Sequence, residues 1–202
     1  MGRPRSAGTN DQKARARLLE AAIALFAEKG YVSTSVGEIV AQARVTKPVL
    51  YYYFGSKEGI FQAILGEAMR VQEAVLNQAL RKDGPALDRL TLLFEQVYRE
   101  VVERPFLYRL LHNLAAAPPQ GIPAYDLEPF HRRMVESVRD VLAEAQRQGS
   151  LAQCDPEEAA LLVLGVLSLC LDLDQCYPLR ADASRLSRLL QLAFRGLEPR
   201  EA

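Results

Sequence analysis

The strongest constraint on the fold is a pair of helix-start signals placed close together. Ser35-Val-Gly-Glu38 is a capping box, in which an N-cap hydroxyl precedes a carboxylate by three residues. Thr46 and Pro48 mark a second start, because threonine is a good N-cap and proline is tolerated in the first helical turn. Only Arg44 and Val45 separate the end of the first helix from Thr46. This spacing predicts two short helices joined by a sharp turn.

A longer amphipathic helix precedes the pair. Between Lys13 and Lys29 the apolar residues recur at the spacing of one helix face, and Gly30 ends the pattern. The second short helix is expected to end at Phe54, and Ser56 caps a longer fourth helix.

Helical spacing continues through the rest of the chain, and no segment shows the period-two alternation of strands. A loop with four prolines at residues 117–129 interrupts it. Further helices are predicted over residues 87–104, 106–116, 130–148, 156–176 and 182–197. The predicted fold is all-α, with a three-helix N-terminal domain and a larger helical body.

Composition excludes several classes of protein. The longest apolar run, residues 159–171, is too short to cross a bilayer, and the N-terminus is unlike a signal peptide. We therefore expect a cytoplasmic protein without membrane contact. Three cysteines and two histidines at no ligand spacing predict neither a metal site nor a disulfide framework. No catalytic or phosphate-binding motif is present, so we expect no enzyme and no cofactor.

The charge distribution indicates a nucleic-acid partner. Basic and acidic residues balance over the whole chain at 25 each, but residues 1–60 contain nine basic and five acidic side chains. Two short helices after a longer one form a helix-turn-helix, whose second helix enters the DNA major groove. On that helix Leu50 and Phe54 share the inner face, whereas Tyr51, Tyr52 and Tyr53 surround the outer side. The alternative, that the tyrosines only fill a small core, requires one turn to bury all four rings.

Hydroxyl, ammonium and helix N-terminal groups supply the expected contacts to double-stranded DNA. Lys47 lies at the base-reading end, and the tyrosine hydroxyls face phosphates. The other predicted backbone contacts are Thr34, Ser35, Thr46 and Lys57.

Residues 13–61 resemble the N-terminal domain of the TetR family of bacterial transcriptional regulators. The matching stretches include Leu-Phe-Ala-Glu-Lys-Gly-Tyr and Val-Thr-Lys-Pro-Val-Leu-Tyr-Tyr-Tyr-Phe-Gly-Ser-Lys. The resemblance implies a homodimer that binds a palindromic operator, usually as a repressor, and leaves it when a small-molecule inducer binds the C-terminal domain. It places the DNA contacts on the residues named above and adds Pro48. It also implies a flexible arm at 1–12, a DNA-binding domain at 13–55 and a ligand-binding and dimerisation domain at 56–202.

The implied architecture assigns further residues. The ligand pocket is expected between the fourth helix and the middle helices, with a mostly hydrophobic lining of Phe94, Tyr98, Phe106, Tyr108, His112, Phe130, Met134 and Cys170. The last two helices are expected to pair across the dimer axis through Leu164, Leu167, Leu171, Leu186, Leu189, Leu190, Ala193, Phe194 and Leu197.

Other features have more than one reading. Arg3 and Arg5 suit either an arm in an A·T minor groove or a solvated tail. Asp172 and Asp174 suit either a cationic ligand or a helix end that emerges into solvent. Cys170 and Cys176 suit buried thiols, a redox sensor or a bond across the dimer axis. A helical ligand carrier would explain the body of the chain but not its basic N-terminal part.

Overall fold

The computed structural model describes residues 7–80, 83–116, 120–176 and 182–196, and its regular structure over these residues is entirely helical. The predicted all-α fold is therefore confirmed. The helices, in chain order, are α1 (Ala7–Lys29), α2 (Val36–Ala43), α3 (Lys47–Phe54), α4 (Lys57–Leu80), α5 (Ala86–Glu103), α6 (Pro105–Ala116), α7 (Glu128–Arg147), α8 (Pro156–Cys176) and α9 (Ala183–Gly196).

Side-chain caps explain why α2, α4 and α8 start where the sequence predicts. The Ser35 hydroxyl accepts the Glu38 backbone N–H at 3.2 Å, and the Glu38 carboxylate accepts the Ser35 backbone N–H at 2.8 Å, which completes the capping box. At the start of α4 the Ser56 hydroxyl accepts the Gly59 N–H at 2.9 Å. The carboxylate of Asp155 accepts two backbone N–H groups from the first turn of α8. These caps satisfy donors that a helix leaves unpaired at its N-terminus.

Two helices begin earlier than predicted. α1 begins at Ala7 rather than Lys13, because its first turns have no apolar stripe from which a start is recognised. α7 begins at Glu128, since Pro129 occupies the first turn, where its missing N–H has no partner to lose. Residues 120–127 are not helical, as expected for the proline-rich loop. Arg3, Arg5, Leu197 and loop residues 117–119 lie outside the described residues.

The chain divides into two compact units. The first unit contains Met1–Met69 and Arg104–Tyr125, and the second contains Arg70–Glu103 and Asp126–Ala202. This division describes packing, whereas the predicted boundary at residue 55 concerns function and stays a prediction.

Four helices supply the core of the first unit. Phe26 of α1, Ile39 of α2, Leu50 of α3 and Phe61 of α4 are buried against one another, with 2% exposure at most. The Phe26 and Phe61 rings meet edge to face at 6.0 Å between centroids. Helix α6 packs against α1 and adds two buried leucines. Burial of large apolar side chains from each helix fixes α2 and α3 relative to α1.

The loop before α7 also packs on the first unit. The Tyr125 hydroxyl donates to the Leu114 carbonyl oxygen, and its ring lies 6.2 Å from that of Phe61. The Gln62 amide donates to the Ala124 carbonyl oxygen at 2.9 Å. Residues 120–125 are therefore part of the first unit.

The second unit is built from two helix pairs. α7 packs along α8, and α5 packs along α9. Their contact faces bury Phe94, Val138, Leu142, Val163 and Leu186, none of which has measurable exposure. No described helix combines the length and the apolar content that a membrane span requires.

Candidate nucleic-acid interface

The turn between α2 and α3 is held by backbone hydrogen bonds. Arg44 adopts a left-handed conformation with φ of 55°, and its N–H donates to the Ala41 carbonyl oxygen at 3.1 Å. The Val45 N–H donates to the Val40 carbonyl oxygen at 3.0 Å. Two such bonds close a helix end and turn the chain within two residues. The sequence had no signal for this role of Arg44, since glycine or asparagine is usual at such a position.

Helix α3 presents one face inward and one outward. Leu50 is fully buried, whereas Tyr51 is 50% and Tyr52 is 77% exposed. Lys47 and Pro48, in the first turn, are also exposed. These four exposed residues, which we call the reading face, have the composition expected of a helix that enters the major groove.

Thr46 starts α3 with its backbone rather than with its side chain. Its carbonyl oxygen accepts the Val49 N–H at 3.0 Å, but its hydroxyl makes no capping hydrogen bond. The hydroxyl of this exposed residue therefore lies beside the reading face without a role in the cap.

Tyr53 differs from its two neighbours. Its hydroxyl donates to the Asp11 carbonyl oxygen at 3.0 Å and also contacts the Asp11 carboxylate. The guanidinium of Arg15 lies 5.5 Å from the Phe54 ring centroid. The Tyr53 hydroxyl thus joins α3 to α1, a role that the predicted phosphate contact did not include.

Thr34 is part of the fold rather than of the surface. Its side chain is buried, with 2% exposure, and its hydroxyl donates to the Gly30 carbonyl oxygen at 2.8 Å. The hydroxyl stabilises the turn after α1. This burial corrects the prediction that the Thr34 hydroxyl faces a phosphate.

The capping box of α2 is also an ion-pair site. The Lys29 ammonium bonds to the Glu38 carboxylate, and the Ser35 hydroxyl donates to the same carboxylate at 2.7 Å. The bond from Lys29 is the main reason that the pKa of Glu38 falls to about 2, and the bonds from Ser35 lower it further. Ser35 itself is exposed at the N-terminus of α2, as a phosphate contact requires.

Lys57 points into the first unit. Its ammonium donates to the carbonyl oxygens of Tyr31, at 3.0 Å, and Thr34, at 2.9 Å. It also lies 4.1 Å from the centroid of the Tyr31 ring. Burial lowers the pKa of Lys57 and raises that of Tyr31, for which nearby Glu58 is a second cause. Two of the three N–H donors of Lys57, which the sequence predicted to contact a phosphate, are therefore directed at protein carbonyl groups.

Gly59 is a residue that the sequence analysis missed. A Cβ atom at this position would overlap the Phe54 carbonyl oxygen and lie 2.9 Å from the Phe54 carbonyl carbon. The end of α3 therefore touches the first turn of α4 directly. The only sequence signal was a glycine in an otherwise regular amphipathic helix.

Known proteins share this arrangement. The family described as "Bacterial regulatory proteins, tetR family" matches residues 18–64, which run from α1 through the first turns of α4. A solved gamma-butyrolactone receptor (ArpA-like protein) is 30% identical, with a TM-score of 0.66 over 93% of this chain and 97% of that chain. The chain belongs to the TetR family. It is a DNA-binding transcriptional regulator and not an enzyme.

Two further TetR-family relatives match over most of their length. The repressor BepR of Brucella suis is 28% identical over 76% of this chain and 76% of its own. The TetR-family regulator PfmR of Thermus thermophilus is 29% identical, with a TM-score of 0.73 over 92% of this chain and 97% of that chain. The TetR resemblance therefore extends beyond the helix-turn-helix into the helical body.

The predicted dimer residues of this TetR-family chain fall mainly on the inner faces of α8 and α9. Leu164, Leu189 and Ala193 are half-buried. Buried in the chain's own second unit are Leu167, Leu171, Leu186, Leu190 and Phe194. Burial within one protomer corrects the assignment of these five residues to a surface between protomers. Among the side chains that the structure describes on these two helices, the large apolar ones that are exposed are instead Leu161, Leu162, Leu169 and Leu192, each at least 50% exposed.

The predicted ligand residues lie in both units. In the first unit Phe106 is 42% exposed and Tyr108 stacks on His112 with 6.0 Å between ring centroids. In the second unit Phe94 and Cys170 are buried, and Tyr98, Phe130 and Met134 are half-buried.

A separate cleft of about 450 Å³ opens in the second unit between α4, α5 and α7. It is lined by Leu76, Asn77, Leu80, Arg89, Arg133, Ser137, Asp140, Val141, Ala143, Glu144 and Arg147. An ion pair between Arg89 and Glu144, 2.7 Å long, crosses its lining. None of the predicted ligand residues belongs to this polar cleft.

The structure describes only some of the residues near the end of α8 for which the sequence leaves more than one reading. Burial raises the pKa of the Cys170 thiol, which is the behaviour of a structural cysteine rather than of a reactive one. Asp172 is half-buried. The side chains of Asp174 and Cys176 lie outside the described residues.

Proposed function

We propose that this regulator is a homodimeric repressor that acts in the cytoplasm on a palindromic operator. A small, mostly apolar inducer bound by the C-terminal part releases it. The observation that best supports this function is the reading face of α3, where a lysine and two tyrosines are exposed while Leu50 of the same helix is buried.

The reading face explains how the protein would recognise DNA. Lys47 is in the first turn of α3, so its ammonium reaches base-edge acceptors when the helix enters the groove N-terminus first. The Tyr51 and Tyr52 hydroxyls reach the phosphates on either side. Ser35 and Arg44, both exposed, lie at the two ends of α2 and contact the DNA backbone. Such contacts fix the position of the protein on the duplex but do not read its sequence.

The exposed face of α8 supports a dimer. Leu161, Leu162 and Leu169 recur at helical spacing, and exposed Gly165 and Ser168 lie between them. Leucines beside small residues suit close packing of a second helix, because the small residues let two backbones approach. Pairing of α8 with its copy buries this face and relates the two reading faces by two-fold symmetry. A palindromic operator matches that symmetry.

Release by an inducer follows from a population shift. The ligand binds best to a conformation of the dimer in which the two reading faces have one spacing, and it raises the population of that conformation. Binding to successive major grooves requires a different spacing, so the ligand releases the DNA. The half-buried Tyr98, Phe130 and Met134 give the second unit an apolar and aromatic set for such a ligand. One relative is named a gamma-butyrolactone receptor, which is consistent with a small-molecule signal.

Selection of bound fragments from genomic duplex DNA tests the proposal. We expect the purified protein to enrich a palindrome whose half-sites lie about one helical turn apart, or slightly more, and to lose affinity steeply as salt rises. A monomeric complex, or sequence-blind binding by protein that has been refolded to remove any bound ligand, would contradict the proposal.

The recovered fragment then provides the assay for the inducer. Small lactones and medium-length hydrocarbons are added to the complex, and release is followed by fluorescence anisotropy. We expect an apolar compound to release the DNA and to raise the melting temperature of the free protein, because it binds the folded state. Release only by highly polar compounds would contradict the apolar inducer and direct attention to the polar cleft.

A further inference from the structure

Arg44 has a backbone conformation that favours glycine. Its φ of 55° and ψ of 49° lie in the left-handed region, and within the part of the chain that the structure describes no other non-glycine residue has a positive φ. In this region the Cβ atom of an L-residue lies too close to the following carbonyl oxygen. Helix ends with this geometry therefore usually have glycine or asparagine. For the turn alone, arginine is a less stable choice than glycine.

The turn uses the backbone of Arg44 and not its side chain. The Arg44 N–H donates to the carbonyl oxygens of Ala41 and Val40, and every residue except proline has such a donor. The side chain of Arg44 is exposed. Among the ion pairs between described residues, none includes its guanidinium. Neither the turn nor an ion pair therefore explains why an arginine stands here.

The position of Arg44 does suggest a role in DNA binding. It lies three residues before Lys47, the first residue of α3, and α3 enters the major groove with its N-terminus first in the proposed complex. A sugar-phosphate strand borders the groove on either side, so a long side chain from this turn lies within reach of a phosphate. A planar guanidinium suits that contact, because two of its N–H groups can bond to two phosphate oxygens at once.

We propose that Arg44 binds a DNA phosphate beside the N-terminus of α3, and that the turn retains this arginine although glycine would make it more stable. The proposal rests on the DNA-binding function proposed above and deepens it. Ala43 and Leu50, buried on the two sides of the turn, fix the ends of the helices that it joins. A strained backbone persists where the surrounding structure determines it in this way, and such positions are concentrated at binding sites.

Three substitutions separate the charge of Arg44 from the strain of its backbone. Arg44→Lys keeps the charge and the Cβ atom, Arg44→Ala removes only the charge, and Arg44→Gly removes both. The affinity of each variant is measured against salt concentration on the selected DNA fragment, or on a random-sequence duplex if none is recovered. The melting temperature of each variant is measured without DNA.

The salt dependence tests the phosphate contact. Each phosphate that a basic side chain neutralises adds about 0.9 to the slope of log affinity against log salt. Arg44→Ala and Arg44→Gly should both reduce the slope by about this amount and weaken binding by on the order of tenfold at roughly 0.1 M salt. Arg44→Lys should keep the slope. Arg132→Ala, which removes an exposed arginine of α7 in the second unit, is the matched control and should leave the slope unchanged.

The melting temperatures test the strain independently of DNA. Arg44→Gly should melt about 2–4 °C above Arg44→Ala, because glycine adopts the left-handed region without a steric penalty. If Arg44→Gly melted at or below Arg44→Ala, the strain would be absent and that part of the proposal would be overturned. Arg44→Ala with the slope of the wild type would overturn the phosphate contact alone. A wild-type protein that binds no DNA would contradict the proposed function itself, and the contact with it.

Discussion

Tyr52 and Lys47 are exposed side chains that we expect to contact DNA without supporting the fold. Tyr52 is 77% exposed and touches the Tyr53 ring only at its edge, 5.0 Å between centroids. We expect Tyr52→Ala or Lys47→Ala to cost about 1–3 kcal/mol of DNA-binding free energy. The melting temperature should stay close to that of wild type, since exposed substitutions change stability by roughly 0.5 kcal/mol or less. Anisotropy titrations and thermal melts provide both values.

Tyr53→Phe is the control within the same helix, because it removes a hydroxyl that bonds to Asp11 rather than one that faces outward. It should lower stability by about 0.5–1.5 kcal/mol. Equal loss of stability in Tyr52→Ala and Tyr53→Phe would show that Tyr52 belongs to the packed side of α3.

Glu38 makes the start of α2 sensitive to acid. Its pKa is about 2 in the folded protein, against 4.5 for an ordinary glutamate. The ionised carboxylate therefore stabilises the fold above pH 4.5, and this contribution is lost as the pH falls through about 2. Glu38→Gln keeps the shape but cannot ionise. The difference in melting temperature between wild type and Glu38→Gln should shrink over this pH range.

A carboxyl NMR titration checks the cause. Lys29→Met should move the pKa of Glu38 back toward 4.5, because the bond from Lys29 contributes most to the shift. A Glu38 carboxyl that titrates near 4.5 in the wild type would contradict the ion pair.

At the scale of helices, the contact between α3 and α4 depends on the absence of a side chain at Gly59. We expect Gly59→Ala to destabilise the protein by about 1–3 kcal/mol, because the new methyl group must displace the Phe54 carbonyl. It should also weaken DNA binding, since α3 carries the reading face. Chemical denaturation and anisotropy titrations measure the two effects.

Gly66 is the matched control on the same helix. Beyond the adjacent backbone of its own helix, a Cβ there meets no atom within 4 Å, so Gly66→Ala should stabilise the protein by up to about 1 kcal/mol through helix propensity. If both substitutions stabilised the protein, the close approach of α3 and α4 would not exist in solution.

Local signals predicted the helices better than they predicted what each side chain touches. Ser35, Ser56 and Asp155 cap helices whose own N–H groups lie two or three residues away, so a short stretch of sequence contains both partners. Lys57 bonds to carbonyl groups 23 and 26 residues earlier, and every residue has a carbonyl group, so no side-chain pattern identifies the partners. The inward direction of Lys57 required the folded structure.

The same limit explains the dimer residues. Helix α8 has apolar residues on nearly all sides, so periodicity shows that two faces are covered but not which one meets the chain's own core. The residues predicted from the sequence to form the dimer interface include Leu167 and Leu171, which lie on the inner face.

At the scale of the whole molecule, the exposed leucines of α8 set the oligomeric state that we propose. Leu162→Glu and Leu169→Glu together should give a folded monomer, because a carboxylate buried in an apolar interface is strongly unfavourable. Sedimentation equilibrium measures the mass, and circular dichroism measures the helix content.

Leu190→Ala provides the comparison, since Leu190 is fully buried within one chain. It should cost about 2–5 kcal/mol of stability and leave the dimer intact below its melting temperature. A dimer that persists in the double glutamate variant would place the interface elsewhere.

The order of segments in the first unit affects how such a protein can be recombined. Its chain is discontinuous, because residues 104–125 return to it after α5, and α6 then packs against α1. A gene fusion made at one point after α3 would take α1 to α3 from one parent and α6, with Leu110 and Leu114, from the other. The core of the first unit would then combine side chains from two different proteins. A functional exchange must therefore transfer two separate stretches of the gene, or keep the partner surfaces of α1 and α6 compatible. In this sense the DNA-binding helices are inherited together with α6, which lies much later in the chain.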